Sequence, residues 1–209
     1  MSLNSQLFNP VAPRLTSAPM IYNAQYHEYV NNQLRLYFSQ LDAALQQVLL
    51  GFNHYGTFYD TTTQTNPVIN TARPITFTTT AEAHGIYIEP AIPSRIYVVR
   101  DGVYNFQFSA QLDHGSGGAV NFYIWFRKNG VDIPASASKI VLVGPNDEKV
   151  AAWNYLVTMK AGDYFELVWS ADDTGAVLRY EAAVAPVPAI PSAILTVTYV
   201  YPNSTPRSV

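Results

Sequence analysis

Gly102-Val-Tyr-Asn-Phe-Gln-Phe-Ser-Ala-Gln-Leu112 alternates in hydropathy without a break after its second residue. Side chains along a strand point to opposite faces with a period of two, so Tyr104, Phe106, Phe108, Ala110 and Leu112 share one face. Asn105, Gln107, Ser109 and Gln111 share the other. A register slip of one residue would turn all five apolar groups into water. The segment is therefore a half-buried strand of an antiparallel sheet, with one face on a core.

The surrounding sequence has the same texture from His54 onward: short β-rich runs separated by Gly, Pro, Asn and Asp. Strands are predicted over 55–60, 74–79, 85–89, 95–99, 102–113, 119–128, 131–133, 138–143, 149–159, 163–171, 176–182 and 193–200. Asn129-Gly130 is a strong hairpin signal, because both residues tolerate positive φ. Ala161-Gly162-Asp163 makes a second turn, and the proline-rich run 185–191 reads as an extended crossing between sheets. The predicted class is mainly β, a two-sheet antiparallel jelly-roll sandwich with one long N-terminal helix. Strand 119–128 carries Phe122, Ile124 and Phe126 on one face and Tyr123 and Trp125 on the other. Tyr123 and Trp125 are therefore candidate contacts with another subunit.

The helix lies between Met20 and Phe52, a span without Pro and without Gly before Gly51. Val30, Leu34, Tyr37, Leu41, Ala44 and Val48 alternate steps of four and three, which fills the seam of a heptad register. Gln33, Gln40 and Gln47 flank that seam at seven-residue spacing, and Phe38, Leu45, Leu49 and Phe52 widen the apolar face. An amphipathic helix covering its own domain would show the same face. At 1.5 Å per residue, however, the span is roughly 48 Å, longer than a sandwich of this size needs. The reading is a stem shared between chains. Before it, Pro10, Pro13 and Pro19 exclude a regular element and leave an arm with Leu3, Leu7, Phe8, Val11 and Leu15 as apolar anchors.

Only 13% of the 209 residues are charged, against about 25% in an ordinary soluble chain, and fifteen are Tyr. Tyrosine can bury its ring and keep its hydroxyl on water or a partner, so this is an interface composition. A net charge of -3 without a basic cluster argues against nucleic acid as a partner. The N-terminal residues have neither the basic nor the apolar run of a signal peptide, and no stretch suits a membrane span. There is no cysteine, hence no disulfide, thiolate nucleophile or Cys-based metal site.

Four stretches together resemble the trimeric jelly rolls of the tumour necrosis factor and complement globular-head superfamily. They are Gly102-Val-Tyr-Asn-Phe-Gln-Phe, Phe126-Arg-Lys-Asn-Gly-Val, Met159-Lys-Ala-Gly-Asp-Tyr-Phe-Glu-Leu and Ala193-Ile-Leu-Thr-Val-Thr-Tyr, in the family's order. With Asp60-Thr-Thr-Thr-Gln-Thr-Asn66 and Val150-Ala-Ala-Trp153, they also look like head domains of tailed-phage virion proteins, especially marine ones. The resemblance implies a homotrimer with a fibre, knob or decoration role. The collagen stalk usual in the complement branch is absent, and the helix stands in its place.

Residues 1–19 are accordingly expected to be a virion-docking arm, 20–53 a trimerisation stem and 54–209 the jelly-roll head. The protein would act in the phage particle, on other virion proteins through its arm, without cofactor. A receptor- or carbohydrate-binding head is the alternative, with Tyr87, Tyr97 or Trp153 stacking on a host surface glycan. Enzymatic chemistry is poorly supported. His27, His54, His84 and His114 lack metal-ligand spacing, and no nucleotide-binding or zinc-protease motif occurs. Asp113, His114 and Ser116 have the residue types of a hydrolase triad but crowd into one loop, and Glu82, Glu89 and Glu166 form no readable glycosidase pair. Asp172 and Asp173, with Thr174 and Gly175, have oxygens to offer calcium, but an ordinary solvated turn is the favoured reading.

Overall fold

The computed structural model describes residues 11–51, 54–115, 117–144 and 147–202, the side chains of 47–51 excepted. The described residues up to 51 and those from 54 form two separate compact units. In the first, α1 runs over Ala24–Gly51, four residues shorter at its start than the sequence predicts. Asn23 sets the boundary: its Oδ1 accepts from the backbone N–H groups of Gln25 and Tyr26 at 2.9 and 3.2 Å, which satisfies two of the donors a helix start leaves unpaired. The Tyr26 hydroxyl donates to the Thr16 carbonyl, and the Tyr22 ring stacks on His27 at 5.0 Å. Val30, Leu34, Tyr37 and Leu41 are half-buried and Ala44 is buried, whereas Tyr29, Leu36, Phe38 and Leu45 are exposed. The formal charges of α1 are Glu28, Arg35 and Asp42, spaced by seven, so its charged side is one narrow strip. Among the described residues no helix is long and apolar enough to cross a membrane.

The second unit contains, among the described residues, fourteen strands: β1 Tyr55–Asp60, β2 Gln64–Thr65, β3 Arg73–Pro74, β4 Thr79–His84, β5 Ile86–Glu89, β6 Ile92–Val98 and β7 Gly102–His114, then β8 Val120–Lys128, β9 Val131–Asp132, β10 Ser138–Leu142, β11 Asp147–Met159, β12 Tyr164–Ala171, β13 Ala176–Leu178 and β14 Ala193–Tyr201. They form two antiparallel sheets. In sheet A, β7 has β11 on one flank and β13 followed by β14 on the other, with β1 and β4 beyond β14 and β2 beside β13. In sheet B the order is β10, β8, β12, β6, β5, with β3 beside β12 and β9 beside β8. Apart from the hairpin pairs β5 with β6 and β8 with β9, most neighbouring strands are distant in sequence, as in a jelly roll, and the predicted fold class is the one observed.

The alternation read from β7 holds: Tyr104, Phe106, Phe108, Ala110 and Leu112 are all buried. They meet Phe122, Ile124 and Phe126 of β8 and Phe165, Leu167 and Trp169 of β12 from the opposite sheet. Phe106 lies flat on Phe165 at 3.8 Å, and Phe126 meets Phe108 edge-on at 5.9 Å. Asn129 and Gly130 have φ of 50° and 79°, the two left-handed residues of a type I′ hairpin. The Asn129 side chain donates to Asp163 and accepts from the Tyr164 N–H, which ties that turn to the next.

Three predicted segments differ. The run 74–79 is no continuous strand: Pro74 lacks a donor, and the chain makes single contacts through the N–H groups of Ile75 and Phe77 before β4 begins at Thr79. The segment 185–191 is no simple crossing, and the strand expected at 176–182 stops at Leu178. From there the chain turns out and back as a hairpin, bridged at Glu181 with Ile190 and at Val184 with Val187.

Candidate functional site

The two sheets present outward faces of opposite character. On sheet A the outward side chains are Tyr55, Thr57 and Tyr59 of β1, Ile194, Thr196 and Thr198 of β14, every second residue from Val103 to Gln111 of β7, and every second residue from Val150 to Thr158 of β11. None of these carries a charge, and the charged residues of the same face, Glu82 of β4, Asp113 of β7 and Glu148 of β11, lie at its margins. Val150 and Leu156 are 60% and 57% exposed on the β11 row, and the polar members are amides and hydroxyls, such as Asn154 donating to Asn105 at 3.0 Å.

Sheet B carries ion pairs and aromatics outward. Arg127 and Trp125 both donate to Asp132 at 2.8 Å, and the hydrogen bonds from Trp125 and then Arg127 hold the Asp132 carboxyl below the usual carboxylate range. The Tyr87, Tyr97 and Tyr164 rings stand side by side on β5, β6 and β12, 5.5 and 5.3 Å apart, with the Arg95 guanidinium 4.4 Å over Tyr164. Glu166, buried, accepts from Ser94 at 2.9 Å and lies 3.7 Å from Arg95.

Of the expected subunit contacts, Tyr123 and Trp125 fall on this charged face, half-buried, and part of their cover is local: Asp132 binds Trp125, and Lys139 lies 5.9 Å from the Tyr123 ring. The seam residues Val30, Leu34, Tyr37, Leu41 and Ala44 share one side of α1, while the Val48 side chain lies outside the described residues. Val11 and Leu15 of the arm are exposed; Leu3, Leu7 and Phe8 lie outside the described residues. Trp153, read as an exposed aromatic, turns inward instead and meets Phe108 edge-on at 4.5 Å.

Asp113 and His114 are successive strand residues and point to opposite faces. Asp113 is bound by Arg179, and His114 is buried with Nε2 3.6 Å from Asp173. They do not form a dyad, and Ser116 lies outside the described residues. Asp172 accepts from both the backbone and side-chain nitrogens of Asn121, and Asp173 accepts from the Gly175 N–H. Among the described residues no three His, Asp or Glu side chains gather as a metal site.

The class these features define is a two-sheet antiparallel jelly-roll sandwich. No family model matches the sequence, and no curated protein matches it. Among solved structures, the chain is similar to the globular domain of the zebrafish complement 1qA protein, at 14% identity over 72% of this chain and 100% of that one, with a TM-score of 0.43. It is similar to murine APRIL at 8% identity over 70% of this chain and 98% of that one, with a TM-score of 0.44. At such identities the likeness concerns the fold.

Proposed function

We propose that the chain is a non-enzymatic subunit of a bacteriophage particle. Three copies associate through the outward face of sheet A and along α1, the heads form a knob, and residues 1–19 fix the knob to another virion protein as a capsid or neck decoration or a fibre. The middle of the outward face of sheet A carries the association: water is the poorer environment for Val150, Leu156 and Ile194, and the charged residues of that face, Glu82, Asp113 and Glu148, lie at its margins. Each Leu, Val or Ile covered contributes roughly 1.5–3 kcal/mol at full burial. The expected contacts Tyr123 and Trp125 lie on the opposite face, on sheet B, where a neighbour would also have to desolvate Arg127, Asp132 and Lys139. The assignment to a phage particle rests on the sequence resemblance. Light scattering of the full chain tests the association, with three times the 23.2 kDa chain mass expected and a monomer overturning it. Mass spectrometry of purified particles tests the location.

A second reading, glycan binding by the head, is favoured by the row Tyr87, Tyr97 and Tyr164 beside Arg95. Aromatic faces stack on sugar rings, and the guanidinium can donate to hydroxyls or carboxylates. Glycan-array binding lost in Tyr87→Ala, with thermal stability retained, is the outcome that supports it.

A further inference from the structure

We infer that the row Tyr87, Tyr97 and Tyr164 takes an acidic glycan and that Arg95 holds its carboxylate; this rests on the glycan reading above and names the class of sugar. The register of sheet B makes the row. Tyr87 lies opposite Tyr97, and Tyr97 opposite Tyr164, so three adjacent strands set their rings in one line on one face. The Tyr87 and Tyr97 rings are within 11° of parallel, and Tyr87 is 45% exposed. Rings held in this way meet a sugar with little loss of side-chain freedom.

Arg95 stands on the same face of β6, two residues before Tyr97, and its guanidinium is held over Tyr164. The acids around it leave it unsatisfied. Glu166 accepts from the Ser94 hydroxyl at 2.9 Å through Oε1, and Arg95 Nε stays 3.7 Å from that same oxygen, too far for a hydrogen bond. Arg95 Nε is buried without a hydrogen-bond partner among the described residues. In an unbroken register Glu89 of β5 would face Arg95 as well. The register shift between Ile88 and Glu89 sets Glu89 opposite Ile92 instead, which removes a second acid from the guanidinium. A guanidinium has five N–H donors, and the Arg95 side chain is 32% exposed, so the outer end of its fork reaches the surface beside the rings.

The class of sugar follows from the fork. A carboxylate accepts two parallel bonds from a guanidinium and matches its charge, whereas a neutral hydroxyl leaves the charge uncompensated. An amino sugar would bring a second cation to Arg95. Glu166 does not turn an acid away, because its side chain is 6% exposed and its oxygen is committed to Ser94. Of the other charges on this face, Arg127 and Asp132 bond each other and Lys139 lies beside Tyr123. A glycan laid across β12, β6 and β5 therefore sets its carboxylate at Arg95 and its rings against Tyr97 and Tyr87.

The test uses the full chain on an array of uronate-containing and sialylated oligosaccharides, each beside its carboxyl-reduced counterpart, with neutral and sulfated glycans on the same array. The wild type is expected to bind acidic members and to lose at least tenfold in affinity when their carboxylates are reduced to alcohols. Arg95→Gln is expected to lose at least tenfold for the acidic members, with the melting midpoint of the wild type. If Arg95→Gln does not fold, the reduced glycans carry the test alone. Equal binding of acidic and reduced forms, binding to neutral or sulfated members only, or unchanged binding by folded Arg95→Gln overturns the acidic assignment and leaves glycan binding standing. A wild-type chain that binds no member of the array overturns both.

Discussion

Leu156→Asp separates the association from the fold. Leu156 is 57% exposed in the single chain and lies opposite Asn105 on the outward side of sheet A. Asn154 and Thr158 precede and follow it on that face, and no cation lies in the row. For one chain the substitution exchanges an exposed apolar group for an exposed carboxylate, a change within about 0.5 kcal/mol of stability. In the trimer the same carboxylate is covered without a partner, which costs several kcal/mol; at about 3 kcal/mol per copy the three copies total about 9 kcal/mol. At about 1.4 kcal/mol per decade, that is some six orders of magnitude in the trimer association constant. Light scattering at micromolar concentration is expected to give monomers, while a urea titration, run on chains already dissociated by dilution, gives the wild-type midpoint. Leu156→Asn, uncharged, is expected to weaken the trimer far less. Trimers of Leu156→Asp that persist on dilution as the wild type does would refute the assignment of this face.

Three further outcomes can be measured independently. Leu34→Asp with Leu41→Asp places charges at two seam positions of α1 and is expected to yield monomers by light scattering; an unchanged trimer removes the stem from the assembly. Asn129→Ala loses two hydrogen bonds of about 1 kcal/mol each and a residue tolerant of positive φ. The expected loss is about 2–3 kcal/mol by urea titration, whereas Asn129→Gly keeps the turn and loses less. Asp163 has a lowered carboxyl value: burial pushes it up, but the bonds from Lys128, the Lys160 N–H and Asn129 outweigh that. Its contribution is therefore present above the unfolded value of about 3.9 and is lost as pH falls through the lowered folded value. Asp163→Asn is expected to melt below the wild type at pH 7, with the gap closing toward pH 2.

What was legible in the sequence was whatever a local pattern fixes. The β7 alternation and the Asn129-Gly130 hairpin each depend on neighbours within a few residues, and both are as read. Trp153 shares parity with Ala151, Tyr155, Val157 and Met159, which marks it as inward in the sequence too. β4 was hidden for a physical reason. Thr79–His84 has no alternation and mostly exposed side chains, and it is a strand because β1 offers it a free edge. The hairpin was hidden because its bridges use Glu181, Val184, Val187 and Ile190, while the prolines between them suggested an extended segment. The polar and apolar row of the outward face of sheet A is written in every second residue of β7 and β11, yet nothing local says that the two strands are neighbours.

Gln111 has a consequence for what the head can carry. Because its N–H and C=O grip Ser192 and Arg179 on the two sides of one gap, the residues between them add nothing to the register of β7 with β14. Extra chain spliced at Ala185 would meet the entropy of closing a longer loop, about 0.6 kcal/mol for each doubling of its length, and leave the ladder unchanged. The position therefore suits a foreign epitope or a reporter peptide.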